Sequence, residues 1–492
     1  MEVESKLLKL ANILRGRAII ASTVKEEDLN GADIHALASA IIMNCKEGVE
    51  VIDSDKIKEI MEKMNKKEPV EVQVVGEVNK EYDDVSFSIR NINTPSGRSS
   101  PETFLDMFRN RLERIKEIIE ENKKGTYFAR DIESISQYGD GREVNVVGIV
   151  YEKRTTQKEN IAITLEDQTG SIKVVFTKLG KEGSEAFEQA SKVVNDEVIA
   201  VNAKVLGKIL IGNRIIYPDI PARSRPRTEK DIAITFTSDI HVGSKQFLQK
   251  EFIKFIEWVN GKIEYRSDLA KKVKCIIVSG DLVDGIGVYP YQEKELSIKD
   301  IYKQYEELLR LLSMVNTNIE IFISPGNHDG VNASEPQPPL GKEIIKGFGS
   351  GNIHYLSNPA WVYVENLKIL VYHGTSLDSI IRDIPGCSYQ DPTTAMAEVL
   401  KRRHLSPIYG GSIIAPSKED KLVIDEVPDI LHMGHIHKNG NRDYHGTLLV
   451  NAGTWQSRTS YQVKLGHMPS PGIVEIYETK SAMINELSFM GG

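Results

Sequence analysis

Five short polar clusters in this chain carry the residue types that bind metal ions and cleave esters. Asp239 and His241 stand in Thr237-Ser238-Asp239-Ile240-His241, and Asp281 in Gly280-Asp281-Leu282-Val283-Asp284. Asn327 and His328 stand in Gly326-Asn327-His328-Asp329, His373 in Tyr372-His373-Gly374, and His435 and His437 in Gly434-His435-Ile436-His437. An Asp-x-His pair offers an oxygen and a nitrogen ligand on one side of a loop. One such pair arises easily by chance; five clusters, each after an apolar run, do not. Asp239, His241, Asp281 and His437 can hold one cation, and Asp281, Asn327, His373 and His435 a second. Sharing Asp281 would set the ions roughly 3.5–4 Å apart, the spacing of two-metal hydrolytic sites. Mixed Asp, Asn and His ligation suits Mn²⁺, Fe or Zn²⁺ better than Ca²⁺ and Mg²⁺, which prefer oxygen shells; two divalent ions are expected, with Mn²⁺ first among the three. Asp281, as the bridge, is expected to be catalytic as well. His328 follows a ligand on a tight turn, where it can point across the metal pair toward a substrate phosphate. Asp284 and Asp329 are expected to order only their own loops. His354, His404, His432, His445 and His467 are expected to stay outside the ligand set.

Each cluster needs a strand to carry it. Ile232–Phe236 precedes Asp239, and Val273–Val278 precedes Asp281. Glu320–Ile323 precedes Asn327, Lys368–Val371 precedes His373, and Ile430-Leu431 precedes His435. Helical spans are expected near 247–265 and 299–314. Strand, ligand loop and helix in repetition predict a layered α/β domain over 228–492, with its chemistry at the carboxyl ends of the strands.

The preceding residues read as other classes. Over 1–65, Ile34, Leu37, Ala38, Ile41 and Ile42 form one apolar stripe, and Ile57, Ile60, Met61 and Met64 another, so a small α-helical module is expected. Residues 66–125 read as a linker followed by a helix, in which Phe108, Leu112, Ile115 and Ile119 share a face. A strand at Val72–Val75 is also expected. Residues 126–227 read as all-β: five short strands suit an OB-type barrel, whose sheet often binds single strands. Lys153, Arg154 and Lys158 fall in its first long loop, either solvated or against backbone phosphate. Arg223, Arg225 and Arg227 form a basic connector to the α/β domain.

At 492 residues the length suits about three domains. The net charge of −8 means that any contact with nucleic acid must be local, metal-assisted or shared with a partner. Cys45, Cys275 and Cys387 are scattered and odd in number, which fits a reducing compartment rather than a disulfide framework. No run approaches membrane-spanning length, and the start, Met1-Glu2-Val3-Glu4, is unlike a signal peptide. A cytoplasmic protein without membrane contact is expected.

The five clusters together resemble the pattern of the calcineurin-like metallophosphoesterase superfamily, which hydrolyses phosphate esters. The order of a helical module, an OB barrel and a phosphoesterase domain is similar to the small subunits of archaeal D-family DNA polymerases and the B-subunits of eukaryotic replicative polymerases. Arg403-His404-Leu405-Ser406-Pro407 resembles the His-Leu-x-Pro region of that group. The resemblance implies a metal-dependent 3′→5′ proofreading exonuclease acting on single-stranded 3′ ends of DNA. It implies a larger catalytic polymerase subunit as partner and a role for His328 at the leaving oxygen or the phosphoryl charge. The alternatives are a catalytically silent scaffold, as in the eukaryotic relatives, and another metallophosphoesterase, such as a repair nuclease or a free phosphatase.

Overall fold

The computed structural model describes residues 18–20, 24–25, 50–58, 85–94, 100–345 and 351–490. The chain divides into two compact units, Met1–Val72 and Gln73–Gly492. In the first, β1 (Ala18–Ile20) pairs in parallel with β2 (Glu50–Ile52), and a helical turn over 54–58 buries Ile57. The parallel pair is absent from the helical reading, because strands of three residues are too short to display alternation. The stripe at Ile34–Ile42, residues Ile60–Met64 and the strand expected at Val72–Val75 lie outside the described residues.

The second unit opens with β3 (Phe87–Asn91), which falls within the stretch read as linker. The helix Pro101–Asn122 follows, with Ser100 as its N-cap; it buries Leu112, Ile115 and Ile119 as the periodicity predicts, while Phe108 of the same face is half-buried and Met107, outside the predicted set, is buried. A closed barrel comes next in the order β4-β5-β6-β8-β7. Its strands are β4 (Glu143–Thr155), β5 (Ile161–Glu166), β6 (Ser171–Phe176), β7 (Val198–Leu206) and β8 (Ile209–Ile216). Closure leaves no open sheet edge. The region is not all-β: the helix Gly180–Ser191 packs Ala186 and Ala190 into the barrel core. Gly180, Gly183 and a polar surface hide that short helix from a periodicity argument. Lys153 and Arg154 belong to β4 rather than to a loop, and Lys153 Nζ donates to the Ser191 carbonyl at 2.9 Å.

The remaining chain folds into two sheets packed face to face. One has the order β12-β11-β10-β9-β18-β19. It contains β9 (Ala233–Thr237), β10 (Val273–Ser279), β11 (Glu320–Ser324), β12 (Ile353–Tyr355), β18 (Ile473–Glu478) and β19 (Met483–Ser488). The other has the order β16-β17-β15-β14-β13-β3. Its strands besides β3 are β13 (Ala360–Val364), β14 (Leu367–Val371), β15 (Ile430–Met433), β16 (Gly440–Tyr444) and β17 (Thr447–Asn451). Strand alternation sorts the apolar runs into layers. Ile234, Phe236, Cys275, Ile277, Ile369 and Val371 face the space between the sheets. Ile276 and Val278 face outward, against Phe252, Phe255, Tyr305 and Leu308 of the helices Gln249–Val259 and Ile301–Leu312. Leu370 and Leu431 face Ile380, Met396 and Val399 of the helices Leu377–Asp383 and Thr393–Arg402.

Buried polar joints tie the barrel to this sandwich. Arg111 of the helix Pro101–Asn122 donates through Nε to Asp420 at 2.7 Å, and through Nη1 to the carbonyls of Asp196 and Pro407, both at 3.1 Å. His404 donates through Nε2 to the same Asp420 oxygen at 3.0 Å, while its Nδ1 accepts from Ser406 N–H at 3.0 Å. The stretch 403–407 therefore works as a joint between domains, away from the ligand clusters. Arg402 pairs with Glu197 of the barrel in the same way. Two of the three connector arginines are also occupied, Arg223 by Asp429 and Arg225 by Asp443, each at 2.8 Å, while Arg227 is exposed.

Candidate metal centre and its cleft

All five clusters sit just beyond carboxyl ends of central strands. β9, β10 and β11 supply Asp239, His241, Asp281 and Asn327 from one sheet, and β14 and β15 supply His373, His435 and His437 from the other. The two sheets thus each contribute part of one mouth. Asp239 (φ 52°), His241 (54°), Asp281 (48°), His435 (66°) and His437 (58°) all have left-handed backbone. That conformation is uncommon outside glycine and persists only where surrounding structure enforces it. Here backbone bonds enforce it: Asp239 N–H donates to Gly280 O, and His241 N–H to Asp281 O. Two glycines are set by close approach. A Cβ on Gly326 would stand 2.3 Å from Asp281 Oδ1, and one on Gly434 would stand 2.4 Å from Asp239 Oδ2.

The seven residues converge as two groups. Asp239, His241, Asp281 and His437 form one; Asp281, His373 and His435 form the other, with Asn327 between the two imidazoles. His241 Nε2 lies 3.0 Å from His437 Nε2, and His437 Nε2 lies 3.3 Å from Asp239 Oδ1. His373 Nε2 lies 2.9 Å from Asn327 Oδ1 and 3.3 Å from Asp281 Oδ1, and His435 Nδ1 lies 3.1 Å from Asn327 Oδ1. Three imidazoles have their other nitrogen engaged by an acceptor: His241 by Asp284, His373 by the Ser279 carbonyl and His435 by Asp378. A proton fixed on that nitrogen leaves the opposite one bare toward the cavity, as a metal-binding imidazole requires.

The charge balance fits divalent cations. Asp239, Asp281 and Asp284 are at most 2% exposed, and their ion-pair partners are imidazoles. Buried carboxylates demand compensation. Asp239 Oδ1 is buried without a hydrogen-bond partner, as a group awaiting a cation would be. Burial pushes the Asp281 carboxyl up, but the His373 and His328 imidazoles outweigh it and hold it well below its usual range. Burial pushes His373 down, but Asp281 overrides it and raises it to about 10.

His328 is beside the cluster rather than in it. Its backbone N–H donates to Asp281 Oδ1 at 2.9 Å, its Nδ1 binds the Asp284 carbonyl at 2.8 Å, and its Nε2 lies 3.9 Å from Asp281 Oδ2. Burial pushes its pKa below the usual histidine value. Asp284 does more than order its own loop: besides His241 it holds Gln456 and Gln292. Asp329 accepts from the backbone of Leu282 and Gly326 and so laces two ligand loops together. Asp378 escaped the sequence reading, because nothing local to the helix Leu377–Asp383 announces that it faces His435. His354, His404, His432 and His445 bind elsewhere. His467 is no part of either group but lines the cleft of about 270 Å³ that opens over them, beside Tyr389.

An OB barrel joined to a two-sheet α/β sandwich, with Asp, Asn and His side chains converging at the strand ends, defines a two-domain protein with a candidate metal centre beside a barrel of the nucleic-acid-binding type. The profile of the DNA polymerase alpha/epsilon B-subunit matches residues 234–440, and that of the OB-fold nucleic acid binding domain matches residues 144–207. The DNA polymerase II small subunit of Archaeoglobus fulgidus is 43% identical over 412 residues, covering 82% of this chain and 81% of that one. That of Pyrococcus horikoshii is 36% identical over 452 residues, covering 87% and 72%. The chain belongs to this family of archaeal DNA polymerase II small subunits. Among solved structures, a novel archaeal phosphodiesterase aligns with 52% of this chain and 99% of its own at 17% identity, with a TM-score of 0.26. So loose a likeness leaves the case for hydrolysis to the site residues themselves.

Proposed function

We propose that this chain is the 3′→5′ exonuclease of a D-family DNA polymerase, hydrolysing phosphodiesters at single-stranded 3′ ends and working with a larger subunit that carries polymerisation. The observation that carries it is the convergence of a full donor set around buried carboxylates that, among the described residues, have imidazoles and no Lys or Arg as ion-pair partners. A scaffold has no use for three such carboxylates and five left-handed ligand positions.

In this reading Asp239, His241, Asp281 and His437 hold one cation and Asp281, Asn327, His373 and His435 the other, with Mn²⁺ as the favoured metal. Bound there, the pair supplies Lewis acidity and an activated water. The protein groups do the rest. Asp284 and Asp378 fix the tautomers of His241 and His435. His328, whose Nδ1 donates to the Asp284 carbonyl, keeps Nε2 for the leaving 3′-oxygen or the phosphoryl oxygens; burial disfavours the second proton this needs, and the negative charge of a bound phosphate would favour it. A cleft of about 270 Å³ over these groups offers room for a strand end.

The test is to incubate the purified chain with Mn²⁺ and a single strand labelled at one end or the other. A 5′-labelled strand should shorten progressively, and a 3′ label should leave at once as a mononucleotide. Shortening from the 5′ end, or no hydrolysis by protein of full metal content, overturns the proposal.

A further inference from the structure

Beside the metal cleft lies a second recess of about 370 Å³, walled by Ile381, Cys387, Tyr389, Ile436, His467 and Met468. The two spaces adjoin, with Tyr389, Ile436 and His467 lining both. The recess is within the ~300–1,000 Å³ range of ordinary small-molecule sites. Its walls combine these apolar and aromatic side chains with the polar Ser388 and Gln390, so it suits a flat group with polar edges, such as a nucleobase, rather than a phosphate. Tyr389 and His467 form its lip, with ring centroids 4.7 Å apart and planes at 69°. Met468 is 55% exposed at the rim.

The lip is wired to the metal centre. The Tyr389 hydroxyl donates to Asp378 Oδ1 at 3.0 Å, and Asp378 Oδ2 holds His435 Nε2 at 3.0 Å. One carboxylate thus fixes both a metal-facing imidazole and an aromatic ring beside it. His328 belongs to the other flank, grouped with His241 and Asp284. If His328 serves the leaving 3′-oxygen, the nucleotide being removed extends toward the flank of His435, where the recess opens.

We infer that this recess receives the unpaired base of the 3′-terminal nucleotide, stacked against Tyr389 and His467. The assignment rests on the exonuclease reading, and it explains how a matched end would be spared. A paired terminal base must leave its own stack and partner to enter, and a mismatched one leaves most readily. Stacking on aromatic side chains tolerates any base, because every base has a π-face.

The test is one of binding. Oligothymidylates that end either in thymidine or in an abasic residue are titrated into the full chain in Mn²⁺. Each carries a methylene in place of the bridging 3′-oxygen of its last linkage, so that it cannot be cleaved. Loss of one base–aromatic stack should weaken binding about tenfold or more. In Tyr389→Leu and in Met468→Asp, the ratio between the two strands should fall to within about twofold, while Tyr389→Phe keeps most of it. Equal affinity of the two strands for the unaltered protein overturns the assignment, whatever happens to a cleavable strand. A strong base preference in a protein that hydrolyses nothing in Mn²⁺ supports the recess and overturns the exonuclease reading instead.

Discussion

His328 and Asp378 divide the labour around the metal centre, and their loss should read out differently. His328 touches Asp281 through its own backbone N–H, but its ring contributes to neither cation group of the proposal. Truncation of the ring by His328→Ala therefore removes a proton donor or a charged hydrogen bond and leaves the ligands in place. General acid–base groups contribute ~10²–10⁴-fold. Turnover on DNA should fall by about that factor, with metal content unchanged by elemental analysis. A nitrophenyl phosphodiester, whose leaving group needs no proton, should lose much less if His328 donates one. Loss of a metal from the variant would make His328 part of the metal shell. Asp378 acts at one remove, through His435 Nε2. Partners of this kind typically change metal affinity or activity ~10–100-fold. Asp378→Ala should weaken Mn²⁺ binding by about that factor in a direct titration, and full affinity in the variant would leave His435 oriented by something else.

At the scale of elements, the strands that carry the ligands were legible and the joints were not. Val273–Val278 reads as a strand because both of its faces are buried, so its apolar run is nearly continuous. β3 did not read, because its partner β13 is distant in sequence and no local pattern reveals a pairing of that range. The helix Gly180–Ser191 was hidden by its glycines, and Asp378 by its dependence on spatial neighbours alone. The Arg403–Pro407 stretch could be singled out by likeness, but its physical role needed the structure: a neutral His404 clamped between Ser406 N–H and Asp420. Protonation of Nδ1 would break the Ser406 bond and bury a cation. Burial and the nearby Arg111 accordingly push His404 down to about 4. Burial does the same to His432, also to about 4. In the unfolded chain both titrate near ~6.5. Between those values the unfolded state binds more protons, so stability should fall as pH drops from about 6.5 toward 4, by up to about 3 kcal/mol for each group. These two residues cause no further loss below that window. Denaturant unfolding across the window measures it, and His404→Gln, which removes the titration and retains a donor for Asp420, should flatten the slope. A wild-type slope in the variant would assign the acid sensitivity to other groups.

For the whole molecule, charge sets the limit. With 62 basic and 70 acidic residues and a net charge of −8, the chain has no overall positive field with which to gather phosphates. Of the basic side chains that looked available, Lys153 is taken by a carbonyl and Arg223 and Arg225 by carboxylates, which leaves only the exposed Arg154, Lys158 and Arg227. A strand end held mainly at the metal cleft would engage few phosphates, and the rest of the grip must come from a partner. In the proposed reading that partner is the large polymerase subunit. The dependence of binding on salt counts the difference, since log K falls by ~0.7 per phosphate contact for single strands with each log unit of salt. The isolated chain should therefore bind a single strand weakly with a shallow slope. Co-expression with the large subunit of the same cell should give one species on gel filtration at micromolar concentration, with a markedly steeper slope and tighter binding. Two proteins that elute separately would remove the partner. A single complex whose slope equals that of the isolated chain would keep the partner and refute the charge argument, placing the DNA grip on this chain after all.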